Sequence, residues 1–399
     1  VKKIVQKHQQ TLGESSWPVF CEEEIQVASD ILRSGKVNYW TGEHCKLFEE
    51  EFREYIGSKY SIAVANGTLA LELALRALGI SCADEVIIPS RTYFATASAV
   101  VTSGAIPVIA DVDRVSGNIS VETIEQVRTK SSRAIIVVHL AGWPCDMTSI
   151  MDYAKQHNLL VIEDCAQAHG ASFDGSKVGS FGDAAAFSFC QDKIMTTCGE
   201  GGIVLFKDKS NWNQAWAYNQ HGKGFDSVFN RDHPPGFRWL IESFGSNYRM
   251  TEMQAGVGRL QLKKLDDWVA VRQKNALILN SCFQSFPMLR ETRLPENISH
   301  AYYKFYTYVD PMKLKKSCSR DKIIAKFNGL GVPCFSGSCS EIYLEKAFKN
   351  MKLGPRSRLP VAQELGETSL MFLVDPTLSI ADMEYVCDVS KEIFINATK

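Results

Sequence analysis

The sequence lacks several features that would assign it to common classes of protein. Its 399 residues carry a formal net charge of −1, and no basic block recurs along the chain. Such near-neutral charge argues against a general nucleic-acid or polyanion binder. No stretch contains the roughly 18 consecutive apolar residues of a transmembrane helix. The polar N-terminus, VKKIVQKHQQ, is too weakly apolar for a signal peptide, so we expect no membrane association.

Metal-binding and dinucleotide-binding patterns are also missing. The twelve cysteines are scattered without CxxC pairs, and the eight histidines show no HxxxH pair, so we predict no metal centre. Scattered cysteines in a chain without an export signal indicate reduced thiols and a cytoplasmic location. No GxGxxG follows a predicted strand, which argues against a nicotinamide-dependent oxidoreductase.

Short apolar runs alternate with helical patterns along the first two thirds of the chain. Seven runs are predicted to be strands, namely residues 60–65, 85–89, 106–110, 134–139, 159–162, 184–189 and 203–206. Because buried strands joined by helical crossovers form mostly parallel sheets covered on both faces, the pattern predicts an α/β fold. The length leaves room for a second domain. We therefore predict a large domain over residues 1–255, with an N-terminal arm and helix over residues 1–35, and a small domain over residues 256–399.

Several local predictions accompany this division. Residues 1–16 should be a loosely packed arm, and the helix over residues 22–34 should turn Ile25, Ala28, Ile31 and Leu32 inward. Residues 221–245 are expected to be a long loop, and residues 251–283 a long helical stretch. In the small domain we predict strands near residues 302–309 and 369–374, a helix near residues 320–330, and a last helix whose capping box is Ser379 with Asp382.

Polar side chains follow the predicted strands at a recurring position. Five residues stand at or just beyond a strand end: Thr68, Tyr93, His139, Asp164 and Lys193. Because the carboxyl ends of parallel strands meet at one edge of a sheet, a site is expected there. The turn Asn66-Gly67-Thr68 between a strand and a helix offers free backbone N–H groups and a positive helix end, which suit a phosphate. His139 is expected to be a packing residue.

Asp164 and Lys193 would bring opposite charges to that sheet edge. Pyridoxal 5′-phosphate (PLP) requires an amine that forms a Schiff base and an anion beside its pyridinium nitrogen. Taken singly, Asp164 could also be an ordinary strand-end carboxylate, and Lys193 could be an ordinary surface lysine. The chemistry therefore depends on the residues around them.

The runs EDCAQAHG and GSFGDAAAFSF, the lysine that follows, and GEGG resemble the PLP-dependent sugar aminotransferases of the DegT/DnrJ/EryC1/StrS family. The resemblance extends from about residue 17 to the C-terminus. It implies PLP fold type I, like aspartate aminotransferase, with a large, mostly parallel seven-stranded sheet domain and a smaller C-terminal α+β domain. It also implies that Lys193 carries the cofactor and moves the proton, and that Asp164 partners the ring nitrogen.

The resemblance implies the remaining cofactor contacts as well. Three residues would hold the phosphate, namely Gly67, Thr68 and Ser188. Tyr93 would stack on the pyridine ring, and Gln167 would hydrogen-bond the ring hydroxyl. Asn247 would reach the phosphate of the neighbouring subunit, which implies a homodimer with active sites at the interface.

The implied activity moves an amino group from an amino acid, with L-glutamate as the expected donor, to a keto or aldehyde sugar. The acceptor is expected to be nucleotide-linked and to serve cell-surface polysaccharide or amino-sugar biosynthesis. Three alternatives stay open: transamination of a free 8-oxo octulosonate sugar acid, a PLP-dependent sugar dehydratase, and a non-catalytic PLP-fold regulator. Lys193 argues against the dehydratase, because such relatives carry histidine at that position. The segment VPCFSGSC departs from the family's usual Tyr-Pro-Leu-His-like segment near the substrate.

Overall fold

A seven-stranded sheet forms the centre of the chain in a computed structural model, which describes residues 16–399. The predicted arm therefore lies almost wholly outside the described residues. The strands are β1 (Tyr60–Val64), β2 (Glu85–Pro89), β3 (Ile106–Ala110), β4 (Ser132–Val138), β5 (Leu160–Asp164), β8 (Ala184–Ser188) and β9 (Gly202–Phe206), in the spatial order β1-β9-β8-β5-β4-β2-β3. Strand β9 runs opposite to the other six strands of this sheet, which all point the same way. The predicted mostly parallel α/β architecture is confirmed.

Helices cover both faces of this sheet. They are α1 (Glu22–Ser34), α2 (His44–Ile56), α3 (Gly67–Ala77), α4 (Ala95–Thr102), α5 (Val121–Glu125), α6 (Met147–Gln156), α7 (Lys209–Asn219), α8 (Phe225–Phe229) and α9 (Glu252–Leu262). Helices α3, α4 and α7 share one core with the sheet, whereas α2 and α9 pack on the opposite face of β1, β8 and β9. All five residues of β8 are buried, because helices cover the strand on both faces of the sheet.

A second sheet lies in the C-terminal part. Strands β11 (Phe305–Tyr308), β12 (Cys334–Phe335) and β13 (Ser369–Phe372) form it in the order β11-β13-β12. The helices here are α10 (Leu265–Phe283), α11 (Arg320–Gly329), α12 (Lys346–Met351), α13 (Pro360–Thr368) and α14 (Ile380–Ala397). A separate apolar core joins α10, α11 and α14 to this sheet. The α12 region instead packs on the core of the large sheet through Phe348, and the division after residue 255 stays a prediction.

A third, small sheet is formed by β6 (Ser172–Phe173), β7 (Ser176–Lys177) and β10 (Ile298–Ser299), in the order β10-β6-β7. Single 3₁₀ turns occupy Leu140–Gly142, Pro311–Lys313 and Ile342–Leu344. Helix α14 begins with the predicted capping box, in which Ser379 Oγ accepts a hydrogen bond from the Asp382 N–H. No helix within residues 16–399 combines the length and the apolar character needed to cross a membrane.

The predicted helical stretch over residues 251–283 is present as two helices, α9 and α10, with a break at Lys263-Lys264. Two other local predictions were wrong. The segment 221–245 contains the short helix α8. Helix α1 buries Ile31 as expected, but Ile25 and Leu32 are 54% and 58% exposed. Periodicity identified an apolar stripe on α1 without showing that only part of it meets the rest of the chain.

Candidate active site

Asp164 is the last residue of β5 and is buried at the carboxyl edge of the large sheet. Its Oδ2 accepts a 2.9 Å hydrogen bond from Thr96 Oγ1, and its Oδ1 accepts one of 3.2 Å from the Ala166 N–H. Burial raises the pKa of Asp164, although these two hydrogen bonds and the positive charge of Lys193 oppose the rise. A cation beside the carboxylate would supply the stabilisation that burial removes. The position therefore suits the protonated ring nitrogen of PLP.

Lys193 follows β8 by five residues and lies in a turn in which its N–H donates to the Cys190 carbonyl at 3.0 Å. The Trp17 indole donates a 2.9 Å hydrogen bond to the Lys193 carbonyl. The side chain is only 14% exposed, and its Nζ is 3.4 Å from Asp192 Oδ1. A nearly buried amine beyond a buried strand is thus brought to the sheet edge that holds Asp164.

The turn after β1 has the form of a phosphate site. Asn66 caps α3 by accepting a 3.0 Å hydrogen bond from the Leu69 N–H, which leaves the N–H groups of Gly67 and Thr68 for a ligand. A Cβ on Gly67 would lie 2.5 Å from Ser188 Cβ. Gly67 is therefore required by close packing, and this contact puts the Ser188 hydroxyl beside the start of α3. The predicted phosphate residues come together.

Gln167 is 7% exposed and is fixed by a hydrogen bond. Its Oε1 accepts from the Ala141 N–H at 2.8 Å. Because a backbone N–H requires an acceptor, the amide orientation is determined, and Nε2 is the group that can donate to a ring hydroxyl. Tyr93, immediately before Phe94 at the start of α4, is 71% exposed and is not a core aromatic.

Asn247 lies beside the same edge, but its side chain is exposed. Its Oδ1 accepts a 3.4 Å hydrogen bond from the Arg249 N–H, and its backbone bridges Gln220. The following helix begins with Thr251, whose hydroxyl accepts from the Gln254 N–H. Within the described chain Asn247 therefore belongs to a turn, and its predicted contact with a second subunit stays a prediction.

Glu163, next to Asp164 on β5, faces the other side of the sheet. Its Oε1 accepts from the N–H groups of Phe181 and Gly182, at 2.8 and 2.7 Å, and its Oε2 accepts from the Gly179 N–H at 2.7 Å. His139 Nε2 lies 3.1 Å from Oε2. Burial raises the pKa of Glu163, but His139 and these N–H groups outweigh it and hold the pKa below its usual value. Three of these four donors belong to the segment that enters β8, so Glu163 fixes that segment.

His139 is a packing residue, as predicted. Its Nδ1 accepts a 3.0 Å hydrogen bond from the Cys145 N–H, so Nε2 carries the proton that is donated to Glu163. Ligand atoms of His139, Glu163 and Cys165 lie within 4.8 Å of one another, as in a metal site. The four donors to Glu163 already occupy both of its oxygens, which makes the group a structural network rather than a set of open ligands.

Sequence reasoning missed three residues that contact the two central side chains. Thr96 holds Asp164, while Asp192 and Tyr303 contact Lys193. Thr96 is three residues from Tyr93 and Asp192 is next to Lys193, but a threonine in a helix and an aspartate in a turn carry no signal of their own. Tyr303 stands 111 positions from Asp192 in the chain, and only folding brings it to the site.

The chain is similar over nearly its whole length to proteins of one enzyme family. The sequence pattern of the DegT/DnrJ/EryC1/StrS aminotransferase family matches residues 19–390. GDP-perosamine synthase from Escherichia coli O157:H7 is 34% identical over 377 residues, covering 94% of this chain and 97% of the relative. The dTDP-3-amino-3,6-dideoxy-alpha-D-galactopyranose transaminase of Aneurinibacillus thermoaerophilus is 32% identical, covering 92% of this chain and 94% of the relative. The crystal structure of an aminotransferase from Psychrobacter cryohalolentis superposes with a TM-score of 0.93 at 53% identity, over 95% of this chain and 98% of that one.

Proposed function

Because the chain belongs to the DegT/DnrJ/EryC1/StrS aminotransferase family and is a PLP-dependent aminotransferase, we propose that it aminates a keto or aldehyde group of a nucleotide-linked sugar. The observation that carries the proposal is the convergence of Asp164, Lys193 and the Gly67–Ser188 contact on one sheet edge. The names of the two relatives support the acceptor class, since both refer to nucleotide-linked sugars.

In this proposal each residue of the site has its own role. PLP, when bound, supplies the electron sink that allows a bond at the amino carbon to break. Lys193 is the amine to which the cofactor attaches and, when free, the base that moves the proton. Asp164 keeps the ring nitrogen protonated, and Gln167 Nε2 donates to the ring hydroxyl.

The remaining cofactor contacts follow from the same edge. Gly67, Thr68 and Ser188 hold the phosphate through N–H and hydroxyl groups. Tyr93 would stack on the ring, as the family resemblance implies, and its exposed side chain is not committed to a core. Asn247 of one protomer serves the site of a second copy, so the working form is a homodimer.

An apolar surface supports the dimer. Four large side chains of one segment are exposed, with relative exposures from 58% for Ile241 through 80% and 85% for Phe237 and Trp239 to complete exposure for Phe244. Exposed aromatic clusters of this kind are uncommon on monomers and mark interfaces. The segment runs directly into Asn247, which ties the surface to the proposed shared site.

The donor and the compartment complete the proposal. L-Glutamate is the proposed donor, and its use follows from the family resemblance. A reducing cytoplasmic setting is proposed because all twelve cysteines are free thiols. The product would serve cell-surface polysaccharide or amino-sugar synthesis.

The test is an absorbance spectrum of the purified protein with PLP, before and after addition of glutamate. We expect the band of lysine-bound PLP to be replaced by that of pyridoxamine phosphate, and GDP- or dTDP-linked keto sugars to restore the first band. Restoration only by a free octulosonate aldehyde would replace the acceptor class. A PLP band that ignores every amino donor would favour a regulator. Retained turnover in Lys193→Ala would overturn the assignment of that lysine.

A further inference from the structure

The Lys193 amine is in contact with two side chains to which the proposed mechanism gives no role. Asp192 Oδ1 is 3.4 Å from Lys193 Nζ, which also lies 5.1 Å from the centroid of the Tyr303 ring. The Tyr303 hydroxyl donates a hydrogen bond to Asp192 Oδ2. The three side chains form a closed unit in which a carboxylate and an aromatic face meet the same amine.

Tyr303 is held in place by its own contacts. It is 6% exposed and precedes β11, its N–H donates to the Ala141 carbonyl at 2.9 Å, and its carbonyl accepts a 3.3 Å hydrogen bond from Arg272 Nη1. The Asp192 side chain is 58% exposed, and the hydroxyl of Tyr303 restrains it. A fixed ring therefore positions a largely exposed carboxylate against the lysine.

The electrostatics keep this unit in its working charge states. Burial raises the pKa of Asp192, but the charges of Lys193 and Lys304 and the hydrogen bond from Tyr303 outweigh it and leave the pKa below its usual value. Burial raises the pKa of Tyr303, and the charge of Asp192 raises it further, so the hydroxyl stays a neutral donor. Asp192 is thus an anion at neutral pH.

Other charges also face this region. The positive charge of Lys193 acts to lower the pKa of Asp164 on β5 and the pKa of the buried His169 in the loop after β5. Lys304 Nζ is 4.8 Å from the centroid of the Tyr303 ring, and burial lowers the pKa of Lys304 to about 8. The charge of Arg272 also lowers the pKa of Lys304, whereas the charge of Asp375 opposes this. The charge of Asp192 helps to raise the pKa of the Cys190 thiol. Of the two carboxylates that act on Lys193, Asp192 is the one in direct contact.

Transamination requires Lys193 in two states, attached to the cofactor and free. A free ammonium in a nearly buried position is unfavourable unless it meets an anion or an aromatic face. We propose that Asp192 and Tyr303 form a receiving site for the free Lys193 ammonium and thereby favour its release from the cofactor. The inference rests on the proposed role of Lys193. Asp192 and Tyr303 act as positioning residues, because they act through the lysine.

The test compares two forms of the cofactor in Asp192→Asn. PLP consumes the free amine when it attaches, whereas pyridoxamine phosphate leaves Lys193 free. The wild-type protein must give up the Asp192 contact to bind PLP, and the variant does not. We expect the ratio of the Kd for pyridoxamine phosphate to the Kd for PLP to rise about three- to tenfold, for an opposite charge in contact with a partly exposed partner. Isothermal titration calorimetry measures both constants without turnover.

Two further variants make the result specific. Tyr303→Phe keeps the ring under Nζ but releases Asp192, so a smaller rise in the same direction is expected. Glu200→Gln removes a carboxylate from the same loop, where Oε1 lies 3.9 Å from Cys190 Sγ, and should leave the ratio unchanged. If Asp192→Asn does not fold, the Tyr303→Phe ratio decides.

An unchanged ratio would overturn the receiving site while leaving the proposed function intact, because PLP binding and the glutamate-dependent spectral change would persist. Equal weakening of both cofactors would also overturn it, since that result indicates a merely structural role. Retained turnover in Lys193→Ala would instead remove the proposed function on which the inference rests.

Discussion

Replacing Asp164 with asparagine should separate folding from chemistry at this site. The introduced asparagine can keep the Ala166 N–H on its oxygen, and its amide nitrogen would face Thr96 Oγ1. The Thr96 hydroxyl is 2.8 Å from Thr92 Oγ1, and either can be the donor. Thr96 can therefore accept from the asparagine and donate to Thr92. No buried polar group loses its partner, so the free energy of unfolding should change by less than about 1 kcal/mol.

The pH dependence of stability follows from the raised pKa of Asp164. A carboxyl group whose pKa is higher in the folded than in the unfolded protein binds its proton more tightly when folded, so it destabilises the fold as pH rises above the unfolded value of about 4. Without cofactor, Asp164→Asn should thus be at least as stable as the wild type near pH 7. The difference should vanish as pH falls below about 4.

The effect on the reaction should be large. An opposite charge in contact shifts a pKa by about 1 to 3 units, so loss of the Asp164 carboxylate would lower the protonated fraction of the ring nitrogen about 10- to 1000-fold. The rate at which glutamate converts bound PLP should fall by a similar factor. Stopped-flow absorbance measures that rate at saturating glutamate, and urea unfolding measures stability on the same samples.

A matched control lies at the opposite edge of the same sheet. Asp183 Oδ2 accepts a 2.8 Å hydrogen bond from the Val161 N–H. Asp183→Asn should change stability slightly and leave the conversion rate alone. If Asp164→Asn with a full complement of PLP reacted at the wild-type rate, the role of Asp164 as the partner of the ring nitrogen would be refuted.

Three other perturbations address the frame of the site. Glu163→Gln turns an amide donor toward the buried donors around Oε2 and should lower the free energy of unfolding by about 2–4 kcal/mol near pH 7. Because the pKa of Glu163 is lowered in the folded protein, the urea unfolding curves of variant and wild type should converge as pH falls below about 4.5. A difference that stays constant with pH would contradict this assignment. Gly67→Ala should cost about 1–3 kcal/mol through overlap with Ser188 Cβ and weaken PLP binding. Adding Ser188→Gly removes that overlap and should recover part of the stability but not PLP affinity, and recovery of PLP affinity would argue against a hydroxyl contact to the phosphate. Phe244→Ser should shift sedimentation toward monomer at micromolar concentration, and an unchanged dimer would remove this segment from the interface.

The large sheet could be predicted because its signal is local. Each strand is a short apolar run between turn residues, and all seven predicted strands occur with ends shifted by at most two residues. The location of the site could then be predicted as well, because parallel strands bring their carboxyl ends to the same edge of a sheet. Gly67, Thr68 and Ser188 converge for the same reason: each stands at the end of a strand whose direction the pattern had already fixed.

The missed features depend on which surfaces meet. Ile25 and Leu32 lie on an apolar stripe, but the stripe is wider than the surface of the chain that α1 covers. The break at Lys263-Lys264 occurs without glycine or proline, so no local signal marks it. Tyr303 reaches Asp192 only because the segment before β11 hydrogen-bonds to the Ala141 carbonyl, and a single sequence holds no record of that arrangement.

Glu163 and Asp164 show how one strand provides both support and chemistry. Successive side chains of a strand point to opposite faces, so two adjacent carboxylates experience different surroundings. Glu163 meets four donors and has a lowered pKa, whereas Asp164 meets two and has a raised pKa. The first is saturated by the protein and can only hold the chain that leads into β8. The second retains a need for positive charge, and β8 leads to the turn that carries Lys193. By holding the chain that leads into β8, Glu163 therefore helps to fix the position of Lys193 relative to Asp164.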